Sequence, residues 1–327
     1  MHSIRLFVIV FTVTASVAAA TSAAAQPATL LAQGVTGATG STVGPDGALY
    51  VAQGALGRVS RVDPVTGAVT TFASGLPPAL LGLGGAMDIE FIGWNAYVLV
   101  TLVGTDLDPV NGKTVGLYRI DSPTLATPIA DIGAFAIANP PQIPFDIDVR
   151  SGLQFAMARY RNGFLITDGH LNRIYRVTLN GGATEITEFQ AFGNIVPTGL
   201  AIQGSQVFVA EAGPIPHVPA DGKIVRLHPE TGSAIEIAAG APLLVDVEFG
   251  RGQRLFALSQ GVFGGGPPAS PALPNTGSLV AANANGTFTT ITSGLNLPTS
   301  LEFIGNTAFV VTLTGDVVKI ELGAQPF

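Results

Sequence analysis

Residues 44–52 read Gly-Pro-Asp-Gly-Ala-Leu-Tyr-Val-Ala, a polar turn that leads directly into a hydrophobic strand. Two later stretches are versions of the same phrase: Gly-Ser-Gln-Val-Phe-Val-Ala-Glu at 204–211 and Gly-Asn-Thr-Ala-Phe-Val-Val at 305–311. Each copy is too small to bury its own apolar side chains, so neighbouring copies must pack together. The chain is therefore predicted to be a repeat protein, and the repeat decides its fold.

Each copy of the repeat contains four short apolar or β-branched runs. Gly, Pro, Asp or Asn residues separate these runs, and apolar and polar residues alternate within many of them. Runs of this length and pattern predict a four-stranded antiparallel meander. The chain restarts the unit six times. The interval between Thr42 and Asp88, which occupy equivalent places in the first two copies, is typical of a four-stranded propeller blade.

The two ends of the chain complete one another. The sixth copy stops after its third strand, near Leu322, whereas an unassigned strand at 28–32 precedes the first copy. If the N-terminal strand joins the last unit, the ring closes and no strand edge stays exposed. We predict an all-β fold, a six-bladed β-propeller of four-stranded antiparallel blades closed by the N-terminal strand, as a single domain over residues 26–327. A β-sandwich or two small β domains are the alternatives.

Residues 1–25 have the layout of a secretory signal peptide. One basic residue, Arg5, precedes the apolar run 6–11, and a tract of small residues ends at Ala25. An uncleaved anchor is the alternative, but the apolar run is short for a membrane span. We expect cleavage near Ala25, a secreted or periplasmic protein, and no stable membrane insertion after the signal is removed.

The composition narrows the classes of partner. Charged residues make up 11% of the chain, which has 41 Gly, 23 Pro, no Cys and a formal net charge of −7. An acidic chain without a Lys/Arg run argues against binding to nucleic acid or to an anionic membrane. The absence of Cys excludes disulfides and thiolate chemistry. An unknown small molecule or an exported protein is left as the partner, and we expect the chain to be a monomer.

Five stretches together resemble the ScyD/ScyE family of exported propellers, which are similar to NHL-repeat and SMP-30-type proteins. They are residues 44–52, 61–64, 131–139, 197–202 and 209–213. The resemblance extends over the whole mature chain and implies a six-bladed propeller. The family takes its name from proteins linked to formation of the pigment scytonemin. It provides no set of catalytic residues that can be carried over to this chain.

The first strands of the blades carry the candidate site. Three of them contain the equivalent pairs Asp88/Glu90, Asp246/Glu248 and Ser300/Glu302, and Asp146 precedes the third blade as a possible fourth member. Side chains two residues apart on a strand share a face, so we expect these pairs to converge at the channel mouth. The primary candidates are Asp88, Asp146, Asp246 and Ser300, and the secondary candidates are Glu90, Glu248, Glu302 and His170.

Converging carboxylates repel one another unless a cation or protons neutralise them. One hypothesis is that Asp88 and Asp246, with Asp146, hold a hard divalent cation such as Ca²⁺ through oxygen ligands. This ion is the one cofactor that the sequence suggests. The alternative is structural: the Asp and Ser side chains tie the entry loops to backbone N–H groups, and the Glu side chains are solvated at the rim.

Two functional classes stay open, and the sequence favours the first. The first is an exported, non-catalytic binding or scaffold propeller. The alternative is a metal-dependent hydrolase or lactonase, or a lyase, that acts at the channel mouth. A lactonase similar to SMP-30 would need an early Glu and Asn ligands, whereas the first inner strand offers Ser41 and Thr42. A lyase would need several convergent acid and base groups. His170 is a candidate base or an ordinary turn residue.

Three connections are longer than tight turns: Asp131–Arg150, Gln260–Thr276 and Ala212–Asp221. Long ordered loops on a rigid scaffold commonly carry function. We expect these connections to contribute to a binding site, or to be structural insertions that cover one face of the ring.

Overall fold

The computed structural model describes residues 25–141, 148–180, 183–191, 193–228, 231 and 233–323. The predicted signal peptide up to residue 24 and the candidate ligand Asp146 lie outside the described residues. In the part that is described, no helix has the length and apolar character needed to cross a membrane.

The described chain forms six four-stranded antiparallel sheets, which are the blades. The first three blades are β2 (Ala38–Val43), β3 (Leu49–Gln53), β4 (Arg58–Val62) and β5 (Val69–Ala73); β6 (Gly85–Ile92), β7 (Asn95–Thr101), β8 (Gly116–Ser122) and β9 (Leu125–Asp131); and β10 (Gln154–Tyr160), β11 (Gly163–Asp168), β12 (Arg173–Asn180) and β13 (Ala183–Ala191).

The last three blades have the same order, but the sixth includes the N-terminal strand β1. They are β14 (Pro197–Gln203), β15 (Gln206–Glu211), β16 (Lys223–Leu227) and β17 (Ala234–Ala239); β18 (Leu244–Phe249), β19 (Leu255–Ser259), β20 (Gly277–Ala282) and β21 (Phe288–Leu295); and β22 (Pro298–Ile304), β23 (Thr307–Thr312), β24 (Asp316–Glu321) and β1 (Ala28–Gln33).

The inner strands arrange the blades in a closed ring around a central channel. Each inner strand contacts the inner strand of the next blade, and β22 of the last blade contacts β2 of the first. β1 pairs antiparallel with β24, with Ala28 opposite Ile320 and Gln33 opposite Asp316, so it covers the outer edge of blade 6. The predicted six-bladed propeller with four-stranded antiparallel blades is confirmed.

The repeated phrase performs two structural tasks. Its glycine turns the chain from the first strand to the second: Gly47, Gly204 and Gly305 have φ values of 77°, 61° and 63°, a left-handed conformation that glycine adopts without steric cost. Its aromatic residue packs against the next blade. Tyr50 meets Phe91 with ring centroids 4.8 Å apart, and Phe208 meets Phe249 at 5.1 Å. Such pairs contribute about 0.5–1.5 kcal/mol beyond simple burial.

Threonine side chains also join neighbouring inner strands, which the sequence reasoning did not anticipate. Thr39 Oγ1 donates to the Ala86 carbonyl at 2.9 Å, and Thr198 Oγ1 donates to the Leu244 carbonyl at 2.8 Å. Both threonines are buried. Because each hydroxyl reaches the following blade, these bonds fix the inner strands relative to one another.

One helix lies where the sequence predicted only a connection. The helix α1 (Ile132–Ala138) follows blade 2, and its N-cap residue Asp131 accepts a hydrogen bond from the backbone N–H of Ala134 at 2.8 Å. The capping residue was visible in the sequence, but a seven-residue helix is too short for periodicity to reveal it. The inner strand of blade 3 begins at Gln154, two residues after the start expected from the repeat.

Candidate functional site

The candidate carboxylates lie inside the channel. Asp88, Asp246 and Ser300 hold equivalent positions in the pairing register, opposite Leu99, Leu258 and Val311 of the second strands. They line one cavity of about 290 Å³ with the secondary candidates Glu90, Glu248 and Glu302. The sequence correctly brought these side chains together.

The sequence predicted that Asp88, Asp246 and Ser300 lie at the channel mouth where the inner strands begin. This position is wrong. β6 begins three residues before Asp88, so Met87 and its neighbours face the mouth and the Asp88 carboxyl is buried within the ring.

Asp88 joins blade 2 to blade 3. One carboxylate oxygen, Oδ1, accepts from the backbone N–H of Ile89 at 2.8 Å, and the other, Oδ2, accepts from the N–H of Met157 at 2.7 Å. Since Met157 belongs to the next inner strand, this carboxyl makes the backbone contact that the structural alternative described.

Asp246 repeats this arrangement between blades 5 and 6. Its Oδ1 accepts from the Val247 N–H at 2.8 Å, and its Oδ2 accepts from the Leu301 N–H at 2.8 Å and from the Ser300 hydroxyl at 3.1 Å. Ser300 Oγ in turn accepts from the Ser41 N–H at 3.0 Å, which joins blade 6 to blade 1. The three primary candidates that the structure describes therefore all anchor neighbouring blades.

The glutamates occupy the next polar layer of the channel, two residues further along the strands. Thr42 Oγ1 donates to Glu90 Oε2 at 2.7 Å, which links blades 1 and 2. Arg159 is the only Arg or Lys among the described residues that line this cavity. Burial raises the pKa of Glu90, and the positive charge of Arg159 opposes this shift. One guanidinium thus faces several carboxyls.

Burial dominates the protonation of this cluster. It raises the pKa of Asp246 to about 7 and the pKa of Asp88 well above its ordinary value. Burial, and then the charge of Asp246, raises the pKa of Glu248 well above its ordinary value. Burial, and then the charge of Glu248, does the same for the pKa of Glu302. Removing carboxylates from water disfavours their charged form. The folded ring therefore holds protons on these groups to a higher pH than the unfolded chain does.

The cation hypothesis gains no support from the described residues. Within the described ranges, no group of three or more His, Cys, Asp or Glu side chains is arranged to hold a metal ion. Both oxygens of Asp88 and of Asp246 already accept backbone hydrogen bonds. A Ca²⁺-like site that includes Asp146 stays a prediction, because that residue is outside the described part.

A second and larger cavity opens at the end of the ring where the inner strands begin. It has a volume of about 1310 Å³. All three long connections contribute to its wall, through Phe135 and Asn139 near α1, Ile215 and His217 before β16, and residues 267–271 before β20. The connections singled out in the sequence thus meet around one cavity.

Two histidines line this mouth cavity. The candidate His170 lies in a turn that Asp168 organises, since Asp168 Oδ1 accepts from the N–H groups of His170 at 3.1 Å and Leu171 at 2.8 Å. His217 Nδ1 lies 2.7 Å from the Gly213 carbonyl oxygen, so Nδ1 carries a proton and donates to it. His170 and the channel carboxyls therefore line two different cavities.

Arg173 is the residue of the mouth cavity that sequence reasoning missed. It is 1% exposed, and its Nη1 donates to the Asn139 carbonyl at 2.8 Å and to Glu188 Oε2 at 3.1 Å. These partners come from the connection after α1 and from β13, so the sequence around Arg173 did not reveal them. One signal in the sequence could have drawn attention to Arg173: it stands at the start of β12, opposite Asp168 of β11.

The comparisons with known proteins identify the fold. No family model matches the chain, and no curated protein matches it. Among solved structures, a gluconolactonase from Xanthomonas campestris is 12% identical, with a TM-score of 0.60 over 89% of this chain and 88% of that one. An inactive virginiamycin B lyase from Staphylococcus aureus with quinupristin is 16% identical, with a TM-score of 0.55 over 90% and 98%.

A third similar structure is the PQQ-bound aldose sugar dehydrogenase from Streptomyces coelicolor. It is 15% identical, with a TM-score of 0.56 over 91% of this chain and 99% of that one. One ring architecture thus underlies a lactonase, a lyase and a dehydrogenase. At these identities the likeness establishes the six-bladed propeller and transfers no chemistry.

Proposed function

We propose that this chain is an exported binding propeller of the ScyD/ScyE type that takes a small organic molecule into its mouth cavity. The observation that carries the proposal is the cavity of about 1310 Å³ formed by loops from several blades. Ligand sites are concave, mostly apolar and supplied with a few polar groups. The signal-like segment at 1–25 supports export.

The bonding of the polar groups favours binding over catalysis. Both oxygens of Asp88 and of Asp246 accept hydrogen bonds from backbone N–H groups. Carboxyls held in this way join neighbouring strands and are poorly placed to exchange protons with a substrate. In the mouth cavity, apolar side chains such as Phe135 and Leu171 surround the few polar ones.

A lactonase or lyase at the mouth is the second candidate. His170 and Glu188 both line the mouth cavity, and either is a conceivable acid or base. Two of the similar structures described above are a gluconolactonase and a virginiamycin B lyase. This candidate requires turnover, which simple binding does not.

A ligand screen on the mature protein, residues 26–327, tests the proposal. We expect small organic molecules to raise the melting temperature. We also expect Ser270→Trp, which places an indole ring in the mouth cavity, to weaken their binding at least about tenfold, or ~1.4 kcal/mol. Ser293→Trp, on an exposed position of β21, is the matched control and should leave binding unchanged. Hits that bind both variants equally would refute the mouth site.

The same hits separate the two candidates. Each is incubated with the protein and followed by mass spectrometry. An unchanged ligand supports the binding propeller. Enzyme-dependent conversion that His170→Ala abolishes would support the lactonase or lyase instead.

A further inference from the structure

Arg173 carries an unusual arrangement of donors for a buried side chain. Only Nη1 of its guanidinium is hydrogen-bonded, to the Asn139 carbonyl and to Glu188. Its Nε and Nη2 are buried and have no hydrogen-bond partner within the described part of the chain. These two atoms lie on the same side of the planar guanidinium. They therefore form a two-pronged donor from which no group of the described chain accepts a hydrogen bond.

An empty buried donor pair is costly. A buried polar group without a partner has lost its hydrogen bonds to water and gained none in return, and a charged group loses more than a neutral one. Native structures satisfy nearly all such groups, so an exception of this kind indicates a missing acceptor. The centre of the Tyr175 ring lies 5.4 Å from the guanidinium carbon of Arg173 and stabilises its positive charge. The ring does not accept the N–H hydrogens of Nε and Nη2, which lie in the plane of the guanidinium.

The carboxylate opposite Arg173 in the sheet is already engaged. Asp168 pairs with Arg173 across β11 and β12, but its Oδ2 accepts from the Tyr175 hydroxyl at 3.1 Å and from Gln154 Nε2 at 2.8 Å. Its Oδ1 accepts from backbone N–H groups. Glu188 reaches only Nη1, from a side chain that is 44% exposed. Neither acidic group fills the empty pair.

The position of Arg173 suggests where the missing acceptor comes from. Arg173 lines the mouth cavity beside Phe135, Leu171, His170 and Asn172. The guanidinium is packed into the wall of this cavity, so an entering acid has to displace neighbouring side chains to reach Nε and Nη2. Two parallel N–H donors match the two oxygens of a carboxylate, which arginine binds bidentately.

We propose that Arg173 anchors the ligand, a small organic acid whose carboxylate pairs with Nε and Nη2 and whose apolar body occupies the mouth cavity. This inference rests on the proposed function, because it names the class of ligand that the same cavity takes.

The first test uses the unaltered mature protein and matched probe pairs. The probes are phenylacetate, phenylbutyrate and octanoate, each compared with its primary amide by titration calorimetry. The amide keeps the shape but lacks the negative charge. We expect at least one acid to bind about tenfold or more tightly than its amide. Acids and amides that bind alike, or amides alone that bind, would overturn the anchoring role and leave the cavity as a site for neutral molecules.

Variants then assign the effect to this residue. Arg173→Lys retains a charge without the two-pronged geometry, and Arg173→Gln removes the charge. Arg173→Gln should abolish the preference for the acid over the amide, and Arg173→Lys should reduce it. Lys223→Gln is the matched control, because Lys223 occupies the same position in blade 4, opposite Glu211, and does not line the cavity. It should retain the preference.

The outcomes distinguish this inference from the proposed function. If the Arg173 variants keep the preference for acids, another group binds the carboxylate and the inference is wrong. If no acid or amide binds and the wider screen also yields nothing, both proposals fail together. If Arg173→Gln does not fold, the comparison of acid and amide on the unaltered protein still decides the question.

Discussion

Asp88 accepts a hydrogen bond of 2.7 Å from the backbone N–H of Met157, and this bond crosses from the inner strand of blade 2 to that of blade 3. Asp246 makes the equivalent bond from blade 5 to Leu301 of blade 6. The ring has no disulfides, because the chain has no Cys. Contacts between inner strands therefore have a large share in holding the blades together.

Replacing Asp88 with Ala should destabilise the ring. The Met157 N–H would stay buried without its acceptor, which costs about 1–3 kcal/mol in the free energy of unfolding. Denaturation in urea measures this loss. The exposed Asp148→Ala variant is the control and should stay within about 0.5 kcal/mol of the parent protein. An Asp88→Ala protein as stable as the parent would show that the interblade bond contributes nothing.

Glycines beside the two aspartates provide an independent test of this packing. A Cβ on Gly199 would lie 2.5 Å from the Asp246 Cα, and a Cβ on Gly40 would collide with the Asp88 carboxylate. Both Gly→Ala variants should lose about 1–3 kcal/mol through overpacking. Gly82→Ala, where no atom lies within 4 Å of the new Cβ, should be nearly neutral in the same denaturation experiment.

The channel carboxyls should make stability depend on pH. The folded pKa of Asp246 is about 7, against an ordinary value of 3.8, so the folded state holds a proton that the unfolded chain releases. Stability falls with pH wherever the folded state binds more protons. The contribution of Asp246 is fully present below about pH 4 and is lost progressively as the pH rises through about 7.

Glu302→Gln isolates this effect, since burial and Glu248 raise the pKa of Glu302 well above its ordinary value. We expect the variant to gain stability relative to the parent as the pH rises from about 5 to about 8. Thermal unfolding at several pH values measures the difference. Glu321→Gln, on an exposed position of β24, is the matched control. A flat profile for Glu302→Gln would mean that Glu302 is ionised in the folded ring.

The ring and the polar side chains of its inner strands could be predicted from the sequence because they repeat from blade to blade. Aligned copies placed Asp88, Asp246 and Ser300 in equivalent positions, and the structure confirms that equivalence. Their depth in the channel was not readable, because it depends on how far each inner strand extends before them. Arg173 was missed for a similar reason: Asn139 and Glu188 meet it only in the folded chain.

The pairing of β1 with β24 predicts that the N-terminal strand can be supplied separately. Removing Ala28–Gln33 would expose the unpaired edge of β24, so the truncated protein should unfold at lower temperature and aggregate. A synthetic peptide of residues 26–36 should bind this edge and restore the melting temperature, because strand addition satisfies the free backbone groups. A scrambled peptide of the same composition should have no effect. Equal rescue by both peptides, or an unchanged melting temperature after the deletion, would show that blade 6 does not need this strand.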